Sequence, residues 1–401
     1  MATDTSAIED VLSQFTSTET PSLCGAAVVV KGKNGETLFS SATGKLSRKQ
    51  DSNPFTTDTV GWLASMSKLV TSVAALQQVD RGLVTLDEDL GKHVPYLNKV
   101  QILDSFDKDG KPIYANPSAP ITLRQLLTHQ SGFGYEGSEP KLLQLAKYNG
   151  SEPDDAHLED RMQIPLMFEP GTSFAYGKSV DWAGFMVANI QQTSLEAYMR
   201  ENIFKPLGMS STTFFISKRP DLKIRRAEIE QLELEPGLLT SHGSANIEEP
   251  DIEVGGGGLF GSASDYSKLL GALISRDSRI FSNDATFDKL FEPQLKGTSA
   301  AILQQICETR PYSAIPITVS DIYKPVPVNH SLCGAVMMED VPGKRKRGSV
   351  GWRGMINSDF WIDPQTGIAV VVFLQNWPYN NTDSLQLSAR LEEEIYKAWG
   401  M

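Results

Sequence analysis

The sequence predicts an α+β fold: one antiparallel sheet with strands drawn from both chain ends, flanked by terminal helices, and a helical lobe inserted between them. Three observations point there. Strand-like segments occur at 24–44 and return near the end, over about 332–375. Between them, about 84–245 is a proline-rich run of short helices and loops. An amphipathic segment stands near each terminus. All of 1–401 is read as one unit, with 1–83 and about 246–401 in the sheet-containing lobe and about 84–245 in the helical lobe. A cleft between such lobes is a usual place for a small-molecule site.

The elements follow in order. Residues 5–18 carry Ile8, Val11, Leu12 and Phe15 at helical spacing. In "CGAAVVVKGKNGETLFSSATG" two strands meet around Asn34-Gly35, a hairpin signature. Trp62 to Gln77, "WLASMSKLVTSVAALQ", reads as an apolar helix containing a lysine. "ITLRQLLTHQSG" is a further helix, with Thr122 as cap and Gly132 as stop. "LCGAVMMED", "RGSVGW", "MINSDFWID" and "GIAVVVFLQ" are successive strands, with turns at Pro342-Gly343 and Gln365-Thr366-Gly367. "DSLQLSARLEEEIYKAW" closes the chain as a helix.

Composition narrows the function. The chain is 40% hydrophobic and 21% charged, with 49 acidic against 37 basic residues and a net charge of −12. That balance argues against a general binder of nucleic acid or anionic membrane. The first residues contain acids and no long apolar run, so no secretory signal is read. The longest apolar stretch, "GIAVVVFL", is too short to span a bilayer. Cys24, Cys307 and Cys333 are odd in number and far apart, the pattern of reduced thiols, and a cytoplasmic location is expected. The five histidines form no HExxH or other metal-ligand spacing, which disfavours a zinc hydrolase.

Chemistry-bearing residues come next. Ser65 and Lys68 are three apart, so on a helix they share a face. A serine needs a neighbouring base, and burial could depress a lysine enough to make it one. Leu63, Met66, Leu69, Val70, Val73 and Leu76 supply apolar surroundings, so a neutral Lys68 base is expected; a snorkelling surface lysine is the other reading. Ser67 is a rival nucleophile but, beside Lys68, faces elsewhere. Tyr176, in "EPGTSFAYGKSVDWAG", stands on a turn leading into an apolar helix and is either a proton carrier or a core aromatic. In "GSVGWRGMINSDFWIDP", Gly351 and Gly354 flank Trp352-Arg353. That strand is either a bulged edge or a partner that adds an N–H to the Ser65 N–H in an oxyanion hole.

S-x-x-K, then the tyrosine motif, then the W-x-G strand, in that order, resembles the class C β-lactamase and penicillin-binding-protein superfamily. "LLTHQSGFGY" (126–135) and "GGGGLFGSASDY" (255–266) are similar to landmarks of its esterase-like branch. "LASMSKLVTSVAALQQVDRGLVTLDE", "PITLRQLLTHQSGFGY" and "YGKSVDWAG" look like the fungal statin side-chain transesterases within it, over roughly 8–398. The resemblance implies a β-lactamase/transpeptidase-like fold, Ser65 as nucleophile, and Lys68 and Tyr176 as the proton-handling pair. Tyr135 matches a second active-site tyrosine, and Trp352-Arg353-Gly354 with the Met355 N–H matches the oxyanion strand. Lys178 stands where penicillin-binding relatives usually have asparagine, and Trp352 where they have lysine or histidine, which puts β-lactam hydrolysis in doubt. Arg353, where smaller residues are common, either pairs with a carboxylate in the cleft or points to solvent.

The implied reaction is a double displacement through acyl-Ser65. A thioester or ester, free or held on a carrier protein, donates the acyl group to an alcohol of a polyketide-like secondary metabolite. An esterase using water, and a non-catalytic or recruited protein on the same fold, are the alternatives. The chemistry calls for no metal or organic cofactor. Three other features are set aside. "GGGLFG" (256–261) matches G-x-G-x-x-G without a surrounding strand-helix-strand unit, so a tight turn beside the cleft is expected. "KRKR" (344–347) reads as a solvated hairpin tip, and His129, at a helix end, as structural. The absence of a G-x-S-x-G elbow disfavours an α/β-hydrolase.

Overall fold

A computed structural model describes residues 4–19, 21–150, 162–231, 252–309 and 326–399. The stretch 232–251, where the expected boundary near 246 falls, lies outside the described residues.

The β-branched run Val28-Val29-Val30 favours a pleated strand over a helix, and Gly25–Gly32 forms β1, buried throughout. It turns back at Gly35, whose φ of +80° suits glycine, into β2 (Thr37–Gly44). The remaining strands of the sheet come from the far end: β7 (Val328–His330), β8 (Ala335–Met337), β9 (Val350–Arg353), β10 (Asp359–Asp363) and β11 (Ile368–Leu374). The seven strands run in the order β2-β1-β11-β10-β9-β8-β7, each pair antiparallel. Both chain ends therefore build one sheet, as expected.

Side chains alternate across β1. Ala26, Val28 and Val30 face α1 (Ser6–Thr16) and α7 (Thr382–Trp399), joining Ile8, Leu12, Leu387, Leu391 and Ile395. Ala27 and Val29 enter a larger core on the other face, with Val70 and Val73 of α2 (Ser67–Asp80) and Leu269 of α6 (Ala263–Ile274). The sheet is thus a middle layer, and the site lies on its α2 side.

Three local expectations are corrected. The helix expected from Trp62 begins only at Ser67. Trp62 ends β3 (Val60–Trp62), which pairs with β6 (Phe260–Ser262), and Ala64–Met66 is a 3-10 turn. The backbone there is held from outside: Gln375 Oε1 accepts the Trp62 N–H at 2.9 Å and the Leu259 carbonyl accepts the Leu63 N–H at 2.8 Å. The proline-rich middle also contains a hairpin, β4 (Ile102–Phe106) and β5 (Pro112–Ala115), turning at Asp109-Gly110 with Gly110 at φ +81°. Finally, "KRKR" is not a solvated tip. Lys344 and Arg345 are buried against α7; Arg345 Nε lies 2.8 Å from Glu392 and its guanidinium 4.5 Å from the Trp361 ring centre. Lys344 Nζ lies 3.3 Å from Glu393.

Candidate active site

Ser65 lies just past the end of β3, on the 3-10 turn. Its neighbour Ala64 has φ +47°, a costly region for a residue with a Cβ. Ala64 is held there by Ile229 and Ile356 and by the close approach of Gly354. A Cβ on Gly354 would fall 2.6 Å from the Leu63 carbonyl oxygen, so glycine is what lets the end of β9 lie against the turn that carries Ser65. The Gly354 N–H donates to Ser358 O at 2.7 Å and the Asn357 N–H to Gly354 O at 3.0 Å. Met355, whose side chain is 43% exposed, is outside these turn bonds.

Lys68 enters from the first turn of α2 and is 4% exposed. Its Nζ donates to Ser65 Oγ at 3.2 Å, to Tyr135 Oη at 3.2 Å and to the Gly256 carbonyl at 2.6 Å. Three acceptors around three N–H bonds are the coordination of an ammonium. The expectation of a neutral lysine is therefore corrected. Burial works against the charge, but Tyr135, Tyr176 and Asp181 outweigh it and hold the Lys68 pKa above the usual lysine value. Burial also pushes the Tyr135 hydroxyl up, more than the neighbouring Lys68 pulls it down.

Tyr176 completes the group. Its Oη donates to Ser65 Oγ at 2.7 Å and accepts the Trp352 indole N–H at 3.3 Å, while Lys68 Nζ stands 4.8 Å from its ring centre. The turn that carries it is docked on the loop after α3 (Leu123–Leu127). His129, at φ +57°, accepts the Ala175 N–H on its carbonyl at 3.0 Å and the Gly177 N–H on Nδ1 at 3.4 Å, so it grips the chain on both sides of Tyr176. A Cβ on Gly177 would lie 2.4 Å from the Phe133 carbonyl oxygen. The Tyr176 ring is enclosed by His129 at 4.8 Å, Trp352 at 5.3 Å and Tyr135 at 5.5 Å. His330 stacks edge-on to His129 and Trp352, both at 5.4 Å. Burial, reinforced by His330 and Lys68, keeps the His129 ring well below its ordinary pKa, and burial, with Lys68 adding to it, brings His330 to about 4.

The structure thus brings Ser65, Lys68, Tyr176, Tyr135 and Trp352 together, with Gly354 against Leu63 and Ala64 of the turn that carries the serine. It does not place Arg353 there. Trp352 points toward Tyr176, so its strand neighbour points to the opposite face. Arg353 is 1% exposed; Nη2 lies 2.7 Å from Asp359, its partner across β9 and β10, and Nη1 donates to Asn380 Oδ1 at 3.1 Å. Lys178 lies 2.6 Å from Glu136. The glycine run is a turn, as expected, and it packs beside Lys68: Gly255, Gly256 and Gly257 present carbonyls to Thr71, Lys68 and Trp62. Asp181, which sequence reasoning missed, accepts the Gly256 N–H at 2.7 Å.

A serine on a strained turn, flanked by an ammonium and a tyrosine hydroxyl on a sheet covered by helices, is the arrangement of a serine acyl-transfer enzyme. The chain belongs to the Beta-lactamase family, which it matches over residues 18–393. It is similar to Monacolin J acid methylbutanoyltransferase of Aspergillus terreus, 31% identical over 384 residues covering 93% of this chain and 91% of that one. It is also similar to Lovastatin esterase of Penicillium rubens, 30% identical over 389 residues, 95% and 96% of the two chains. Among solved structures, the unliganded simvastatin synthase of Aspergillus terreus superposes with a TM-score of 0.86 at 28% identity, covering 98% of both chains.

Proposed function

We propose that the chain transfers an acyl group from a thioester or ester to an alcohol on a polyketide-like secondary metabolite, through an acyl-Ser65 intermediate. The observation that carries this is the convergence of Tyr176 Oη and Lys68 Nζ on one serine oxygen, at 2.7 and 3.2 Å. With Tyr176 as the phenolate, the hydrogen bond between the two oxygens is reversed: Ser65 donates to Tyr176 Oη and gives up its proton as Oγ attacks the carbonyl carbon. A phenolate at Tyr176 would face the Lys68 ammonium and the Trp352 N–H, both of which favour negative charge. The backbone N–H groups of Ser65 and Met355 receive the developing oxyanion, at about 3–4 kcal/mol per donor. Collapse expels the thiolate or alkoxide, which takes the proton from Tyr176. The acceptor hydroxyl then gives its proton to Tyr176 as its oxygen attacks acyl-Ser65, and collapse expels Ser65 Oγ, which takes that proton back from Tyr176 and restores both groups.

Acceptor chemistry is read from the relatives, whose names describe acylation of statin-type acids, and a donor held on a carrier protein is compatible with the same steps. Cys24, Cys307 and Cys333 are unpaired, as in the cytoplasm where we place the reaction. Among the described residues no helix is long and apolar enough to cross a membrane. The second reading, hydrolysis by the same site, is favoured by the similarity to the Penicillium esterase. Feeding one thioester with and without candidate alcohols separates them: ester product above free acid is expected, and free acid alone with every alcohol would rule out transfer.

A further inference from the structure

Asp181 lies in the first turn of α5 (Ser179–Gln191) and is 2% exposed. A carboxylate at a helix start is favoured by the helix dipole, but the dipole does not explain where this one points. Its Oδ1 accepts the Gly256 N–H at 2.7 Å, and the carbonyl of that same residue accepts Lys68 Nζ at 2.6 Å. One glycine thus joins a buried anion to a buried cation. The glycine is needed: a Cβ on Gly256 would fall 2.7 Å from Asp181 Oδ2.

The charges around this pair leave Asp181 in a distinct position. Lys68 is faced by Asp181 from α5, by Tyr135 and His129 from the loop after α3, by Tyr176 from the turn before α5, and by His330 from β7. Both histidines are uncharged at neutral pH, since burial lowers them. Lys178, the other cation whose charge reaches Asp181, is matched by Glu136 at 2.6 Å. A buried ammonium without a compensating anion is costly, and Asp181 is the carboxylate placed to compensate Lys68.

We propose that Asp181 is a positioning residue for acylation: through the Gly256 peptide it fixes Lys68 and holds it as an ammonium, so that the Ser65 proton goes to Tyr176. The inference rests on the reading of Ser65 as nucleophile given above. Removing the Asp181 charge makes the Lys68–Tyr176 group lose its first proton more readily, so the acid limb of acylation moves to lower pH. Loss of an adjacent opposite charge is typically worth about 1 pH unit or more.

The test is the pH profile of the acylation burst with a p-nitrophenyl ester, read alongside the Lys68 Nζ signal by nitrogen-15 NMR, in the full chain. In Asp181→Asn the amide oxygen still accepts the Gly256 N–H, so the hydrogen bond is kept and the charge is lost. The acid limb and the Lys68 titration are both expected to move down by about 1 unit or more. Gly256→Ala, which crowds the carboxylate away, is expected to move them in the same direction. An active wild type whose profile superposes on that of Asp181→Asn overturns the role of Asp181 and leaves Ser65 standing. A wild type without a burst at any pH overturns the nucleophile reading and this inference with it. If neither variant folds, the wild-type Lys68 signal decides: an ammonium persisting to about pH 10 supports the proposal, and its loss below about pH 8 overturns it.

Discussion

The phenol oxygen of Tyr176 lies 2.7 Å from the hydroxyl oxygen of Ser65, although 111 residues separate them in the chain. That contact is assembled by backbone. His129 grips Ala175 and Gly177, and the absence of a side chain at Gly177 lets the tyrosine turn sit on Phe133-Gly134. Tyr176→Phe keeps the ring contacts and removes the oxygen. Acylation is expected to fall by about 10²–10⁴-fold, the range for a lost general base, with the melting temperature little changed. Retention of wild-type rate would assign the base elsewhere.

Gly354→Ala places a methyl against the Leu63 carbonyl, and backbone has to move. In the proposed mechanism, displacing the strand end draws the Met355 N–H away from the oxyanion. A loss of about 10²–10³ in kcat is expected, as for removal of one oxyanion donor. An unchanged kcat would show that Met355 takes no part.

Arg353 serves the fold rather than the cleft, so its variants should read out as stability. Arg353→Met alone leaves Asp359 buried without its cation and is expected to cost about 3–5 kcal/mol. Adding Asp359→Leu should restore much of that loss, with KM unaffected in the double variant. A raised KM with unchanged melting would return Arg353 to the substrate site.

His330 and His129 give the acid side of the stability profile. The folded pKa of His330 is about 4, below the ordinary value of 6.5, so the unfolded chain binds the extra proton first. The His330 contribution is complete above about pH 6.5 and is lost as pH falls toward 4. Thermal melts should therefore decline across that window. His330→Gln should decline less steeply there; an unaltered slope would contradict the assignment.

The legible parts of this protein are local ones. Ser65 and Lys68 are three residues apart, Tyr176 heads its own turn, and the valines of β1 announce a strand. Asp181 was not legible because its partner, Gly256, lies far along the chain and offers only its backbone. Partners on α7 likewise decide the fate of Lys344 and Arg345, which a basic run by itself cannot show. The start of α2 differs because Gln375 and Leu259 hold the backbone N–H groups of Trp62 and Leu63 from outside, so the helix begins only at Ser67. Arg353 was readable in part, since a strand cannot aim two successive side chains into one cleft.

The central claim is an activated Ser65, and covalent labelling tests it most directly. Wild type and Ser65→Ala are treated with a fluorophosphonate probe and analysed by intact mass and peptide mapping. One adduct on Ser65, absent from the variant, is the predicted result. A folded wild type that takes no adduct, or takes it equally in Ser65→Ala, would contradict the account.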